Sequence, residues 1–369
     1  MSAFAVAKPN AVSLQHWLFE FLLTGGSTPL LAGLLFCLRE TLGLDSAELA
    51  VGFLMFHAAH VINDPHFSVT YLLFYRNVRD RLGNKAPKWQ RFRYVFAGYV
   101  VPTVLCAWAA SALLTGSAKS LGWMIQGMFF LVGWHYVKQG FGVLSVLSLR
   151  RGVHFTLFER RAVLSHCILG WLYARARNFD PGRESEEKGV VYTSFAHPTW
   201  LYGLTLAGFA LSTCWLLLVL GRKWKREQRL PWAPLTGFLI TVWVWVVFSN
   251  VDPLLIYVIP ALHSLQYLYF VYLLRSNQAR EEHGAPLFRS SPKERLFRLA
   301  LLALGLGWLL FHGLPGLLDA ALVTKNDAQL PLGATPYFAA LFTIVNLHHY
   351  FMDSVIWRRD NPETRYLTL

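Results

Sequence analysis

Apolar residues run in long stretches along this chain, and polar residues gather in the gaps between them. A helix crossing a bilayer needs about 20 mostly apolar residues. Ten stretches approach that length, at 20-38, 47-75, 94-115, 121-148, 158-175, 199-220, 234-250, 252-274, 296-318 and 336-357. The pattern predicts an all-α, polytopic helical membrane protein of about ten transmembrane helices, a single integral membrane domain over residues 1-369. The first stretch is interrupted by "TGGSTP", which predicts a broken or re-entrant helix, and the fifth is short and opens with "FERR". No repeat of fixed period, low-complexity tract or soluble domain interrupts the series.

Composition agrees. Only 15% of the 369 residues are charged and 54% are hydrophobic, whereas soluble domains carry about a quarter charged residues. The formal charge is +13, and the position of the basic residues decides what it means. Cytoplasmic loops of membrane proteins are enriched in Lys and Arg. Of the 34 here, 26 fall at Lys8, in the segments following the even-numbered stretches or in the first turn of the stretch that comes next. Seven fall on the opposite side (Arg39, Lys119, Arg175, Arg177, Arg183, Lys188 and Lys325), and Lys138 lies within a stretch. This asymmetry predicts both termini in the cytoplasm of a bacterial-type inner (plasma) membrane. It also accounts for the net charge without nucleic acid, which calls for a basic face with interleaved aromatics on a soluble module. The N-terminal "MSAFAVAKPN" lacks a signal-peptide pattern and is read as part of the mature chain. The four cysteines form no CxxC, so neither a disulfide framework nor a thiolate metal site is expected.

The chemistry lies in the histidines. His16, His154, His197 and His283 fall in loops or near ends, and His166 and His312 stand alone on apolar helices, where a hydrogen-bonded packing role is expected. The others cluster on four even-numbered stretches: "FHAAHVINDPHF" (His57, His60, Asp64, His66), "WHYVKQGFG" (His135, Lys138, Gln139), "PALHSLQYLYF" (His263, Gln266, Tyr267) and "NLHHYFMDSVIWR" (His348, His349, Asp353). These four run in the same direction. Counted from the outer ends, His57, His60, His135, His263, His348 and His349 lie within about 6 Å of one depth at ~1.5 Å per residue. Each helix also offers a polar partner four residues after a histidine: His60–Asp64, His135–Gln139, His263–Tyr267 and His349–Asp353. Residues i and i+4 share a helix face, the spacing of an imidazole and the group that orients it.

An ionisable group at mid-bilayer costs about 2.5–3.5 kcal/mol on insertion scales. Metal binding offsets that cost, so His57, His60, His135, His263, His348 and His349 are candidate metal ligands. Asp64, Asp353 and Tyr267 are candidate catalytic residues, the aspartates either orienting imidazoles or ligating directly. Imidazole alone suits several transition metals. The aromatic surroundings favour iron (Fe2+, mononuclear or dinuclear) with dioxygen as co-substrate, and an apolar small molecule drawn from the bilayer among its lipids. Two other readings stand beside this one. The first is a proton- or ion-coupled transporter using the intramembrane His, Asp and Lys residues. The second is a metal-independent membrane transferase with His263 or His349 as general base.

The four clusters, in this order, resemble those of the Brp/Blh family of membrane β-carotene dioxygenases. In that family, histidines on separate membrane helices hold non-haem iron, which with dioxygen splits β-carotene into retinal. His60 with Asp64 is similar to the first family cluster, "WHYVKQGFG" at His135 to the second, "ALHSLQYLYF" to the third and "NLHHYFMDSVIW" to the fourth. "AHVIND" lacks the family's proline and glycine, and Tyr267 stands where the third cluster has a second histidine. The resemblance implies iron and oxygen chemistry on a carotenoid-like substrate.

Overall fold

The computed structural model describes residues 14–76, 78–83, 87–177, 182–282, 290–323 and 332–368. Lys8, His283 and Lys325 lie outside them. The described chain is all-α apart from one hairpin. Its helices in order are α1 (Leu14–Phe21), α2 (Thr28–Leu42), α3 (Leu44–Ala59), α4 (Asn63–Tyr75), α5 (Val78–Leu82), α6 (Lys88–Val95), α7 (Val101–Leu114), α8 (Ala118–Arg150) and α9 (Leu157–Arg177). Then come α10 (Trp200–Glu227), α11 (Trp232–Ile240), α12 (Leu255–Glu281), α13 (Pro292–Trp308), α14 (Leu314–Leu322) and α15 (Pro336–Ile356). The hairpin pairs β1 (Glu184–Glu187) with β2 (Val190–Thr193) in the loop after α9. Lys188 and Gly189 close it at φ 54° and 82°, the left-handed backbone that two-residue hairpin turns require. Val190 is fully buried with α7, α8 and α15, so the hairpin caps one end of that helix group.

All ten apolar stretches are mainly helical. Among the described residues, four helices are long and apolar enough to cross a membrane: Lys88–Leu114, Trp200–Glu227, Leu255–Glu281 and Pro292–Leu322. Leu14–Gly26 and Thr28–Leu42, bent by 60° at a short break, reach that length and hydropathy only when taken together. The expected ten crossings exceed that number, for identifiable reasons. The stretch 47-75 divides into α3 and α4 at His60–Ile62, and Trp232–Val247 is short. Helices α8 and α15 have the length, but they carry the polar residues of the histidine clusters. In α9 the "FERR" segment is polar for a reason the fold makes plain: Glu159 is 4% exposed and pairs with Lys223 (3.4 Å) and Arg226 (2.8 Å) of α10.

The surface is apolar where the interior is polar. Leu211 is 71% exposed, and Leu204, Leu218, Leu301 and Leu302 are likewise exposed, whereas His263, Gln266 and His349 are buried. Water disfavours such a large exposed apolar surface, and these helices fit an integral membrane protein.

Local breaks set the inner geometry. The first lies within "TGGSTP": Leu22–Gly26 forms a π turn with non-helical Thr24 and Gly25. Gly25 adopts φ 128° and packs against the Gly237 backbone of α11, so no side chain fits between them. The freed Thr24 carbonyl accepts from Gln266 Nε2 at 3.0 Å. A second π turn, Phe96–Val100, precedes Pro102. Proline cannot donate to the carbonyl four residues back, and Gly98 O instead accepts from Tyr75 Oη at 2.7 Å. A further π turn, Leu309–Gly313, precedes Pro315 and carries His312.

Candidate metal centre

Helices α4, α8, α12 and α15 meet around one cluster of imidazoles. His66 comes from α4, His135 from α8, His263 from α12 and His349 from α15, and none is more than 6% exposed. His135 Nε2 lies 3.0 Å from His263 Nε2 and 3.3 Å from His349 Nε2. The His66 ring centre is 5.0 Å from that of His263 and 4.5 Å from that of His349. Aromatic rings enclose the group: Tyr136 is 4.3 Å from His263, Tyr350 is 4.8 Å from His135 and Phe67 is 4.8 Å from His349, centre to centre.

Hydrogen bonding among these rings is incomplete. One ring nitrogen holds one proton or one lone pair, so His135 Nε2 cannot bond well to two neighbouring nitrogens at once. His66 Nε2, His263 Nδ1 and His349 Nδ1 are buried with no hydrogen-bond partner, a situation that costs about 1–3 kcal/mol per atom. A cation accepting the lone pairs of the Nε2 atoms that face one another removes this conflict at His135; the Nδ1 atoms of His263 and His349 are not the ones that face it. Metal–imidazole bonds of about 2.0–2.1 Å place neighbouring ligand nitrogens about 3–3.4 Å apart, and the two measured Nε2 separations fall in that interval. Two sets have donor atoms within 4.8 Å of one another, His66–His135–His263 and His135–His349–Asp353, and they share His135.

Around the rings lies a buried polar frame. Asp353 Oδ2 is 3.6 Å from His135 Nδ1 and 3.9 Å from His349 Nε2. Its Oδ1 accepts from Tyr267 Oη at 2.7 Å and from Trp357 Nε1 at 3.1 Å. With its own proton committed to Asp353, Tyr267 Oη accepts from Thr70 Oγ1 at 2.6 Å. Ser264 Oγ lies 3.0 Å from His66 Nδ1. Gln139 does not orient His135, four residues earlier; it donates to the His263 carbonyl (3.1 Å) and to Gln266 Oε1 (2.8 Å). Gln266 in turn reaches the broken first helix at Thr24 O.

The candidate residues separate into three groups. His135, His263, His349, Asp353 and Tyr267 come together as their spacing predicts. His348, adjacent to His349, does not belong. Its Nε2 donates to the Ala97 carbonyl in the Phe96–Val100 π turn at 2.9 Å, and its Nδ1 accepts from Tyr71 Oη at 3.0 Å. Both nitrogens are spent, so it is a packing histidine. His57, His60 and Asp64 also lie apart. His57 is exposed, and His60 and Asp64 pair with His312 instead.

Two residues escape the sequence reading. His66 was visible in "NDPHF", but on one unbroken helix it lies six residues from His60, about 240° around the axis. The break at His60–Ile62 starts a new helix at Asn63 and brings His66 inward. His312 looks like a solitary packing histidine, and its partners lie 248 and 252 positions away in sequence.

Comparison with family models, with curated proteins and with solved structures returns no match.

Proposed function

We propose that this chain is a membrane-embedded, metal-dependent oxidoreductase, a non-haem iron oxygenase acting on an apolar, lipid-like substrate. The observation that carries the reading is the convergence of His66, His135, His263 and His349 from four helices, with His135 Nε2 set against two other ring nitrogens that a single proton cannot serve. The donor set is imidazole with one carboxylate and no sulfur, which suits iron among other first-row metals. Iron at this position would supply dioxygen activation. The protein's own residues hold the ion, orient the imidazoles through Asp353 and Tyr267, and exclude water with Phe67, Tyr136 and Tyr350. The similarity of the motifs at His135, His263 and His349 to those of membrane β-carotene dioxygenases favours a carotenoid-like substrate, entering laterally from the bilayer. In the full proposed topology all ten apolar stretches cross a bacterial-type inner membrane, with both termini cytoplasmic. The uneven distribution of Lys and Arg supports it.

The test is elemental analysis of protein purified in detergent, followed by aerobic and anaerobic incubation with a polyene substrate. The expected result is near-stoichiometric iron and oxygen-dependent conversion. A metal-free preparation that converts the substrate equally well would overturn the proposal. The breaks at Leu22–Gly26 and His60–Ile62 support a second reading as a proton-coupled transporter, since transporters use discontinuous helices. Proton flux in proteoliposomes, without metal or oxygen, would favour it.

A further inference from the structure

A second group of ligand-type side chains stands outside the central cluster. Asp64, at the start of α4, is buried and receives a hydrogen bond from His312 Nε2, whose nitrogen lies 2.8 Å from Asp64 Oδ2. His60, at the break between α3 and α4, is half-buried, and its ring stacks on that of His312 at 4.1 Å between centres and 11° between planes. One nitrogen of each histidine and one Asp64 oxygen all lie within 4.8 Å of one another. Phe67 separates the two groups, packing on His349 on one side (4.8 Å) and on Phe311, the neighbour of His312, on the other (5.2 Å).

Three features of the backbone hold this geometry. The π turn at Leu309–Gly313 sets the direction of His312, and π turns inside helices recur at functional sites. Gly307 lets α13 press against α4, since a Cβ there would lie 2.8–2.9 Å from the Asp64 backbone and Cβ. His60 Nδ1 lies 3.2 Å from the Phe56 carbonyl. A carbonyl can only accept, so Nδ1 carries the proton and the neutral ring presents the lone pair on Nε2. This is how metal-binding histidines are commonly fixed.

We propose that His60, Asp64 and His312 form a second binding site, for a divalent first-row transition-metal ion, distinct from the central cluster and open toward the protein surface. Two imidazoles and one carboxylate are a common donor set for such ions. The exposed His57, whose ring is 6.3 Å from that of His60, stands on the outer side of the group. The inference does not depend on the central cluster holding iron.

The test uses the full chain in detergent, dialysed against Co2+, freed of excess metal by gel filtration and measured by elemental analysis and visible absorption. Wild-type protein is expected to hold one cobalt equivalent more than an Asp64→Asn/His312→Gln double variant. His135→Ala should retain that equivalent. Equal cobalt content in the wild type and the double variant overturns the proposal. If His135→Ala matches the wild type while the double variant is one equivalent lower, the second site stands and the central one falls. A purely structural role for the Asp64–His312 pair would lower the melting temperature without changing the cobalt count, which also overturns it. Should the double variant fail to fold, His60→Ala serves, because its half-buried ring bonds only to its own helix. It should weaken cobalt binding at this site at least tenfold, and unchanged affinity counts against the proposal.

Discussion

Asp353→Asn tests the central cluster most directly, because it changes charge and proton bookkeeping while keeping shape. Asp353 Oδ1 accepts from both Tyr267 and Trp357. An asparagine must place its carbonyl oxygen there to keep those bonds, which puts its amide nitrogen where Oδ2 now faces His135 Nδ1 at 3.6 Å. A carboxylate at that point favours the tautomer with the proton on Nδ1 and the lone pair on Nε2, directed at His263 and His349. An amide donor favours the reverse, moving the proton to Nε2 and removing His135 as a ligand. Loss of an orienting group of this kind costs about 10–100-fold in metal affinity, or about 1.4–2.7 kcal/mol at ~1.4 kcal/mol per decade. Without metal the same change removes a buried carboxylate and keeps its hydrogen bonds, so melting of the metal-free protein should be unchanged or slightly higher. The assay is competition for the metal against a chromophoric chelator, paired with thermal unfolding. Loss of affinity beyond 100-fold would identify Asp353 as a direct ligand. Affinity within threefold of the wild type would refute the argument.

Three other substitutions divide positioning from packing. Tyr267→Phe removes one donor from Asp353 and leaves Thr70 with the His66 carbonyl alone; a loss of about 1.5–3 kcal/mol, typical of hydrogen bonds to charged groups, should appear in denaturant unfolding, with weaker metal binding. His348→Ala should leave metal content unchanged but destabilise by about 1–3 kcal/mol, because the Ala97 carbonyl and Tyr71 hydroxyl lose their partner; a fall in metal content would return His348 to the ligand set. Gly307→Ala should cost about 1–3 kcal/mol by overpacking α13 against α4, and it should disturb the Asp64–His312 pair before the central cluster; undiminished stability would show that the two helices separate freely.

Much of this architecture is written in local pattern. The apolar stretches coincide with helices because a segment without polar partners must satisfy its own backbone, and a helix does so within itself. "TGGSTP" breaks the first helix because Gly25 sits at a positive φ and packs against another backbone, where no side chain fits. The i+4 spacing of His349 and Asp353 survives folding, since both lie on one continuous helix, α15. The count of crossings was less legible, because α8 and α15 pay for their polar residues in hydropathy while burying them inside.

What the sequence determines alone is the helical class, the apolar exterior and four segments bearing histidine. What tertiary structure decides is which ring faces which. His348 and His349 are neighbours in the chain, yet about 100° of helical rotation sends one to the Ala97 carbonyl and the other to the central cluster. Two choices (His66 over His60, and His312 as a partner of Asp64) depend on where a helix restarts or bulges, and a third (Gln139 under His263) on how two continuous helices pack. That is settled by proline, glycine and distant packing, and no spacing rule within a single helix can reveal it.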